Sequence, residues 1–170
     1  MNSLLYWIRK AGASMFFAGF FPFASGTVGS ALTIGMIYFV HSRHPEFFSI
    51  TYITWQWLFL VCAVGISIFL SNDAKRIFGK DDPSPVIIDE WAGQLITFFL
   101  IPISIPTLIL GFVLFRFFDI IKPFPAHTME ELDGGAGITF DDVIAGVYAN
   151  ISLLAMLYSY RAIKGLIVGT

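Results

Sequence analysis

The sequence predicts an all-α protein: a polytopic membrane bundle of about five hydrophobic helices, preceded by an N-terminal interfacial or re-entrant segment. Three observations lead there. The 170-residue chain is 56% hydrophobic, with a mean hydropathy of +0.77. Only 13% of its residues are charged, against roughly 25% in soluble domains, and a chain this short cannot bury so many apolar side chains in one core. Charge is also absent from long runs: 26 residues from Phe47 to Asn72, 25 from Trp91 to Phe115 and 18 from Val143 to Tyr160. The length suits one domain, residues 1–170. A net charge of −2 offers no basic footprint, so a nucleic-acid partner is not expected. Cys62 is the one cysteine and makes no internal disulfide.

The elements follow from these runs and their breakers. Residues 3–24 carry Arg9 and Lys10 near their start, which suits the headgroup level of a bilayer. No small-x-small site follows a clean apolar stretch, so a cleaved signal peptide is not expected. The run Gly26-Thr27-Val28-Gly29-Ser30 opens a helix whose core is Ala31–Val40. Phe47–Asn72 is long enough to cross a bilayer core of about 30 Å. Pro102 and Pro106 divide the next run into two shorter helices, about Val86–Ile101 and Pro106–Ile121. The last helix begins near Val143.

Three polar islands remain, at Ser25–Ser30, Asn72–Glu90 and Arg116–Asp142. With five crossings, all three return to one face. Arg9, Lys10, Lys75, Arg76, Lys80, Arg116 and Lys122 fall on that face, and Arg43, Arg161 and Lys164 on the other. The excess marks the island face as cytoplasmic.

The acids in these islands have a repeated form. Asp89-Glu90 follows Ser84-Pro85, a good helix start that puts the acids in the second turn. Asp141-Asp142 follows Thr139, a plausible N-cap that puts them in the first turn. Gly93 stands four residues after Asp89, and Gly146 four after Asp142, on the same helix faces. Small residues there let helices approach closely. One reading is that these acids only satisfy helix dipoles. The other, favoured by the repetition, is that two facing helices bring four carboxylates together. Such a cluster needs protons, basic partners or a hard cation, and oxygen donors without a Cys/His set point to Mg²⁺. Arg116 and Lys122 flank Asp119 at three-residue spacing, two cations and an acid that suit phosphate on one helix face. The alternative is snorkelling with an internal ion pair. Glycines at 26–30 and 134–137 suit backbone that cradles an anion, or simply tight packing and a turn.

Taken together, GTVGS (26–30), DPSPVIIDEWAG (82–93), FRFFDIIKPFP (115–125) and GGAGITFDDVIAG (134–146) resemble the motifs of the phosphatidylglycerophosphatase A family of bacterial membrane lipid phosphatases, in the family's order. Ser25 stands where the family usually has proline, and Thr139 where it usually has methionine. The resemblance implies Mg²⁺-dependent hydrolysis of phosphatidylglycerol phosphate to phosphatidylglycerol and phosphate, at the cytoplasmic face of the bacterial inner membrane. On this reading Asp89, Glu90, Asp141 and Asp142 hold the metal, and Asp119 is a further ligand or a water-orienting base. Lys122 and Arg116 neutralise phosphate charge. Thr27, Ser30, Asp82 and Ser84 are candidate substrate contacts.

Other chemistries fit less well. Cys62 has no arginine close after it, there is no Asp-x-Asp after a buried strand, and of the histidines only His127 lies among the motifs. A CDP-alcohol phosphotransferase would show an aspartate-rich spacing that is absent. A cation carrier would place its acids mid-helix, near the bilayer centre.

Overall fold

The computed structural model describes residues 1–80 and 83–168, and among them there is no strand. Among the described residues eight α-helices follow in order: α1 Ser3–Ala13, α2 Ser25–Arg43, α3 Ile53–Ser71, α4 Ala74–Phe78, α5 Ile88–Thr97, α6 Ile105–Ile121, α7 Ala126–Met129 and α8 Gly135–Val168. Helices α2, α3, α5, α6 and α8 run alternately away from and toward one end. The starts of α2, α5 and α8 and the ends of α3 and α6 therefore meet there. Cavity-lining residues from all five helices, Ser25, Ser71, Glu90, Asp119 and Asp142 among them, mark that end. At the opposite end Ile37, Phe98, Ile101, Leu108 and Leu153 form a core cluster, with Phe48 packed against it.

The split of the 86–121 region is present, with a shorter first half than the sequence predicts. Helix α5 has 10 residues and α6 has 17, about 15 Å and 25 Å at 1.5 Å per residue. Leu100 takes a left-handed φ of 55° in the break. The carbonyls of Thr97 and Phe99 accept hydrogen bonds from Asn150 Nδ2 at 3.0 and 2.8 Å. Ser104 and Thr107 then form a capping box that starts α6. Two of the described helical segments are long and apolar enough to cross a bilayer, Ile50–Ser71 and Gly135–Leu166.

Of three helix starts, the first follows the sequence expectation and the other two depart from it. Helix α2 opens at Ser25, so the small-residue run forms its first turns. Helix α5 begins at Ile88 rather than at Ser84-Pro85, and Asp89 and Glu90 lie in its first turn. The reason is a tether: Ile87 N–H donates to the Ala13 carbonyl at 2.9 Å, and Val86 N–H to Pro83 at 2.9 Å. The preceding chain is thus pinned to the end of α1 before it can coil. Helix α8 begins at Gly135, so Thr139 is not its cap and Asp141-Asp142 fall in the second turn. Thr139 is fully buried and its hydroxyl pairs with Ser67 Oγ on α3 at 2.8 Å. A Cβ at Gly135 would collide with the Ile68 carbonyl, so only glycine lets α8 start against α3.

Large apolar side chains face outward as well as inward, and several small polar ones are buried between helices. Phe39, Trp55, Val61, Phe69, Val113, Phe117 and Ile151 are exposed, whereas Ser30, Thr33, Ser67, Gln94, Thr97 and Thr139 are fully buried. Phe98, Ile101, Phe115 and Leu153 are buried too, so apolar side chains fill the interior and also cover much of the surface, with small polar residues between helices as packing in lipid allows. The N-terminal segment continues this surface. Leu4, Trp7 and Ile8 of α1 are exposed, while Arg9 turns inward to an ion pair with Asp73 and lies 4.7 Å from the centre of the Phe69 ring.

Helices α5 and α8 touch at their glycines. A Cβ on Gly146 would collide with the Gly93 carbonyl, and one on Gly93 would lie 2.6 Å from the Asp142 carbonyl. Because the obstruction is backbone, Gly146→Ala is expected to cost about 1–3 kcal/mol, the scale of overpacking. Gly65→Ala is the control, since an added Cβ there meets nothing within 4 Å. Thermal unfolding in detergent checks this: the first variant loses midpoint temperature and the second does not, and equal midpoints would refute the close crossing.

Candidate active site

The acidic end is built from helix starts. Asp89 and Glu90 come from the first turn of α5 and Asp142 from the second turn of α8. Ligand oxygens of these three side chains all lie within 4.8 Å of one another. Both helices present N-termini to this point, where the macrodipole favours negative charge. Helix α2 closes one side: a Cβ at Gly26 would fall on Glu90 Oε1 and lie 2.8 Å from Arg116 Nη1. The first glycine of that run is thus required by close approach of the α2 backbone to the acid.

Asp119 and Arg116 stand on the last turns of α6. Arg116 Nη1 is 2.6 Å from Asp119 Oδ2 and 3.7 Å from Glu90 Oε1. It bridges the two acids from behind, and Asp119 lines the cavity while Arg116 does not. Lys122 departs from the expected shared helix face. It ends α6 in a left-handed conformation, φ 47°, with its N–H donating to the Phe118 carbonyl at 2.8 Å. That turn carries its ammonium off the helix to Asp141 Oδ2 at 2.7 Å and to Glu130 Oε1. Burial alone would lower the Lys122 pKa, but the hydrogen bonds to Asp141 and Glu130 outweigh it and raise it above the ordinary lysine value. The ammonium therefore stays charged across the neutral range. Asp141 meets Lys122, and the close group of three carboxylates is Asp89, Glu90 and Asp142.

These groups open onto a cavity of about 400 Å³, lined also by Ser25, Ser84, Ser71, Asn72, Lys75 and Glu130. Of the candidate substrate contacts, Ser84 lines this cavity. Thr27 is exposed outside that lining, Ser30 is fully buried one turn into α2, and Asp82 lies outside the described residues. His127 is exposed and does not line the cavity. Sequence reasoning missed Glu130 as a partner of Lys122. The acid itself is visible in the Glu130-Glu131 pair, but the short helix α7 and its turns separate it from Lys122 and leave no periodic signal. Ser25, Asn72 and Lys75 were missed because they come from helix ends far apart in the chain.

The residues suit a cation. Glu90 Oε2 is buried without a hydrogen-bond partner, an arrangement that costs free energy unless a positive group satisfies it. Three adjacent carboxylates, all oxygen donors, match a hard divalent ion. An all-helical bundle, apolar outside, with three carboxylates able to share a metal ion in a polar cavity at one end, defines a class: helical metal-site proteins with an apolar surface.

Comparison with known proteins narrows the class. Residues 11–157 match the family described as Phosphatidylglycerophosphatase A, and the chain belongs to that family, whose members are phosphoric monoester hydrolases. A Bacteroides thetaiotaomicron protein, provisionally named a phosphatidylinositol-3-phosphatase, is 37% identical over 139 residues, 80% of this chain and 85% of the relative. A protein of Escherichia coli K12 named Phosphatidylglycerophosphatase A is 32% identical over 136 residues, 78% of this chain and 73% of the relative. One of the same name from Haemophilus influenzae is 39% identical over 92 residues, 53% and 56% of the two chains. No solved structure matches the chain significantly.

Two measurements probe the site. Asp89→Asn and Asp142→Asn should each weaken Mn²⁺ binding, read by electron paramagnetic resonance in detergent, and lower turnover by at least roughly 10²-fold. Unchanged metal binding in both would remove these acids from a metal site. Cys62 is exposed on the outer side of α3, so Cys62→Ala should retain most turnover, and a folded but inactive variant would implicate the thiol in the reaction.

Proposed function

We propose that this protein hydrolyses the phosphomonoester of phosphatidylglycerol phosphate, releasing phosphatidylglycerol and phosphate, with Mg²⁺ held by Asp89, Glu90 and Asp142. The observation that carries the reading is the juxtaposition of those three carboxylates with Lys122 in one cavity. Mg²⁺ bound there would polarise the phosphate and lower the pKa of a water. Lys122 offsets charge on the phosphoryl oxygens as the phosphorus–oxygen bond to glycerol breaks and that oxygen takes a proton. Asp119, fixed by Arg116, faces the cavity and orients the attacking water. Arg116 acts through Glu90 and Asp119, holding both carboxylates in place. Ser84 and Ser25 are left to contact the glycerol. Asp141 fixes Lys122 rather than the metal.

The reading includes a membrane. Exposed aromatic and aliphatic side chains around buried polar ones support integration in a bilayer. Alternation of α2, α3, α5, α6 and α8 supports a multi-pass chain, with α5 and its following turn embedded as an incomplete crossing. The meeting of three polar islands at one end supports a shared cytoplasmic face, where a lipid headgroup is reached. One domain spans the chain on this reading, since the cavity draws on residues from Ser25 to Asp142.

Phosphate release from a detergent-purified sample tests the activity. Phosphatidylglycerol phosphate should be turned over with Mg²⁺ and not after chelation, and restored on adding the metal back. Phosphatidic acid and phosphatidylinositol 3-phosphate belong in the same panel, the latter because of the Bacteroides relative's name. No release from any lipid phosphomonoester would leave a phosphotransferase or a cation carrier as the better reading. Topology is checked by single-cysteine labelling in a Cys62→Ala background. Positions 84, 125 and 133 should label from the cytoplasmic side and position 43 from the other, and opposite labelling of 84 and 133 would break the shared site; Asp133 is used because it is exposed, whereas Gly135 tolerates no side chain.

A further inference from the structure

The cation assigned to phosphate is already occupied by this chain's own acids. Lys122 Nζ donates to Asp141 Oδ2 at 2.7 Å and to Glu130 Oε1, and an ammonium has three donors. The two partners differ in kind. The Asp141 side chain is 9% exposed and anchored in the second turn of α8. Glu130 is 39% exposed and follows the four-residue helix α7. One partner is held within the bundle, and the other is more exposed and caps a short helix outside it. All three side chains line the cavity.

Resting on the reading of Lys122 as the phosphate-binding cation, we propose that Glu130 is an internal competitor for the substrate's phosphate. Its carboxylate holds the Lys122 ammonium, is displaced when a phosphate group binds, and returns as phosphate leaves. The physical argument is exchange of like for like. A carboxylate and a phosphate oxygen both accept charge-assisted hydrogen bonds from an ammonium. A phosphomonoester carries about −1.5 to −2 charge near neutrality, against −1 for the carboxylate, so the incoming group can win the cation. Among the described residues the cavity lining carries many more carboxylates than ammonium groups, which are those of Lys75 and Lys122, so its net charge opposes anions. A competitor tied to the chain lowers the affinity of every ligand of that cation by the same factor, the fraction of time the cation is free. Substrate binding is weakened, but so is retention of the released phosphate, and product release limits turnover in many enzymes.

This gives a signature that a merely structural role would not produce. Glu130→Gln should lower KM for the lipid phosphomonoester and Ki for inorganic phosphate together, by about three- to tenfold, the scale of one partly exposed charge pair. Glu130→Asp keeps the charge but reaches less far, so it should move both constants in the same direction by less, and it serves where the glutamine variant folds poorly. Steady-state phosphate release in detergent micelles at fixed Mg²⁺ reads all of these. Lys122→Met is the reference for the underlying reading and should raise both constants. If Lys122→Met leaves them unchanged, the assignment of Lys122 to phosphate fails, and the competitor with it. If Lys122→Met raises them but neither Glu130 variant lowers them, only the competitor fails. A higher KM, or a higher Mg²⁺ requirement in Glu130→Gln, would make Glu130 a supporting ligand and overturn the proposal.

Discussion

Backbone contact between α5 and α8 sets the geometry of the acidic end. Gly146 lies against the Gly93 carbonyl, and Gly93 against the backbone of Asp142. At that separation the first turn of one helix and the second turn of the other bring Asp89, Glu90 and Asp142 within ligand distance of one another. Any side chain at the crossing would hold the helices apart and separate the carboxylates. Phe115 is fully buried beside the same crossing, and its ring would be struck by a Cβ on Gly93. The third helix of the site, α6, is thereby packed into the same contact that fixes the first two.

Close carboxylates repel, and burial makes each charge more costly. The chain answers with two cations placed at different depths. Arg116 lies behind Glu90 and Asp119, with a planar fork suited to two acids. Lys122 stands at the cavity, between Asp141 and Glu130. These pairs leave Asp89, Glu90 and Asp142 as the group that could hold a metal ion, and they leave Lys122 lining the cavity beside it.

The site is tied to the N-terminal segment as well as to the bundle. Ile87, the residue before α5, donates to the carbonyl of Ala13 at the end of α1. A Cβ at Gly19 would collide with the Pro85 carbonyl, so the turn after α1 also packs on this stretch. Arg9 joins α1 to the start of α4 through Asp73. The segment with the exposed Trp7 and Phe16 therefore also holds the start of the helix that bears Asp89 and Glu90.

Much of this was legible in the sequence because its signals are local. Charge-free runs and prolines fixed the helical class and the break between α5 and α6, and acids followed four residues later by glycine marked the two helices that meet. The family resemblance also rested on contiguous motifs. What the sequence could not specify were contacts between distant segments. Thr139 has the residue type of a cap, yet its hydroxyl is bonded to Ser67 inside the bundle, and glycines further back start α8. Ser84-Pro85 has the form of a helix start, yet the tether from Ile87 to Ala13 delays coiling. Lys122 has the spacing of a third residue on the Arg116 face, but a left-handed turn sends it to Asp141 and Glu130. Local composition and periodicity determined which segments are helical and which acids stand near the starts of the two helices that meet. Tertiary packing decided which acid meets which cation, because a side chain's partner depends on the helices brought beside it, and that is set by close backbone approach rather than by neighbours in the chain.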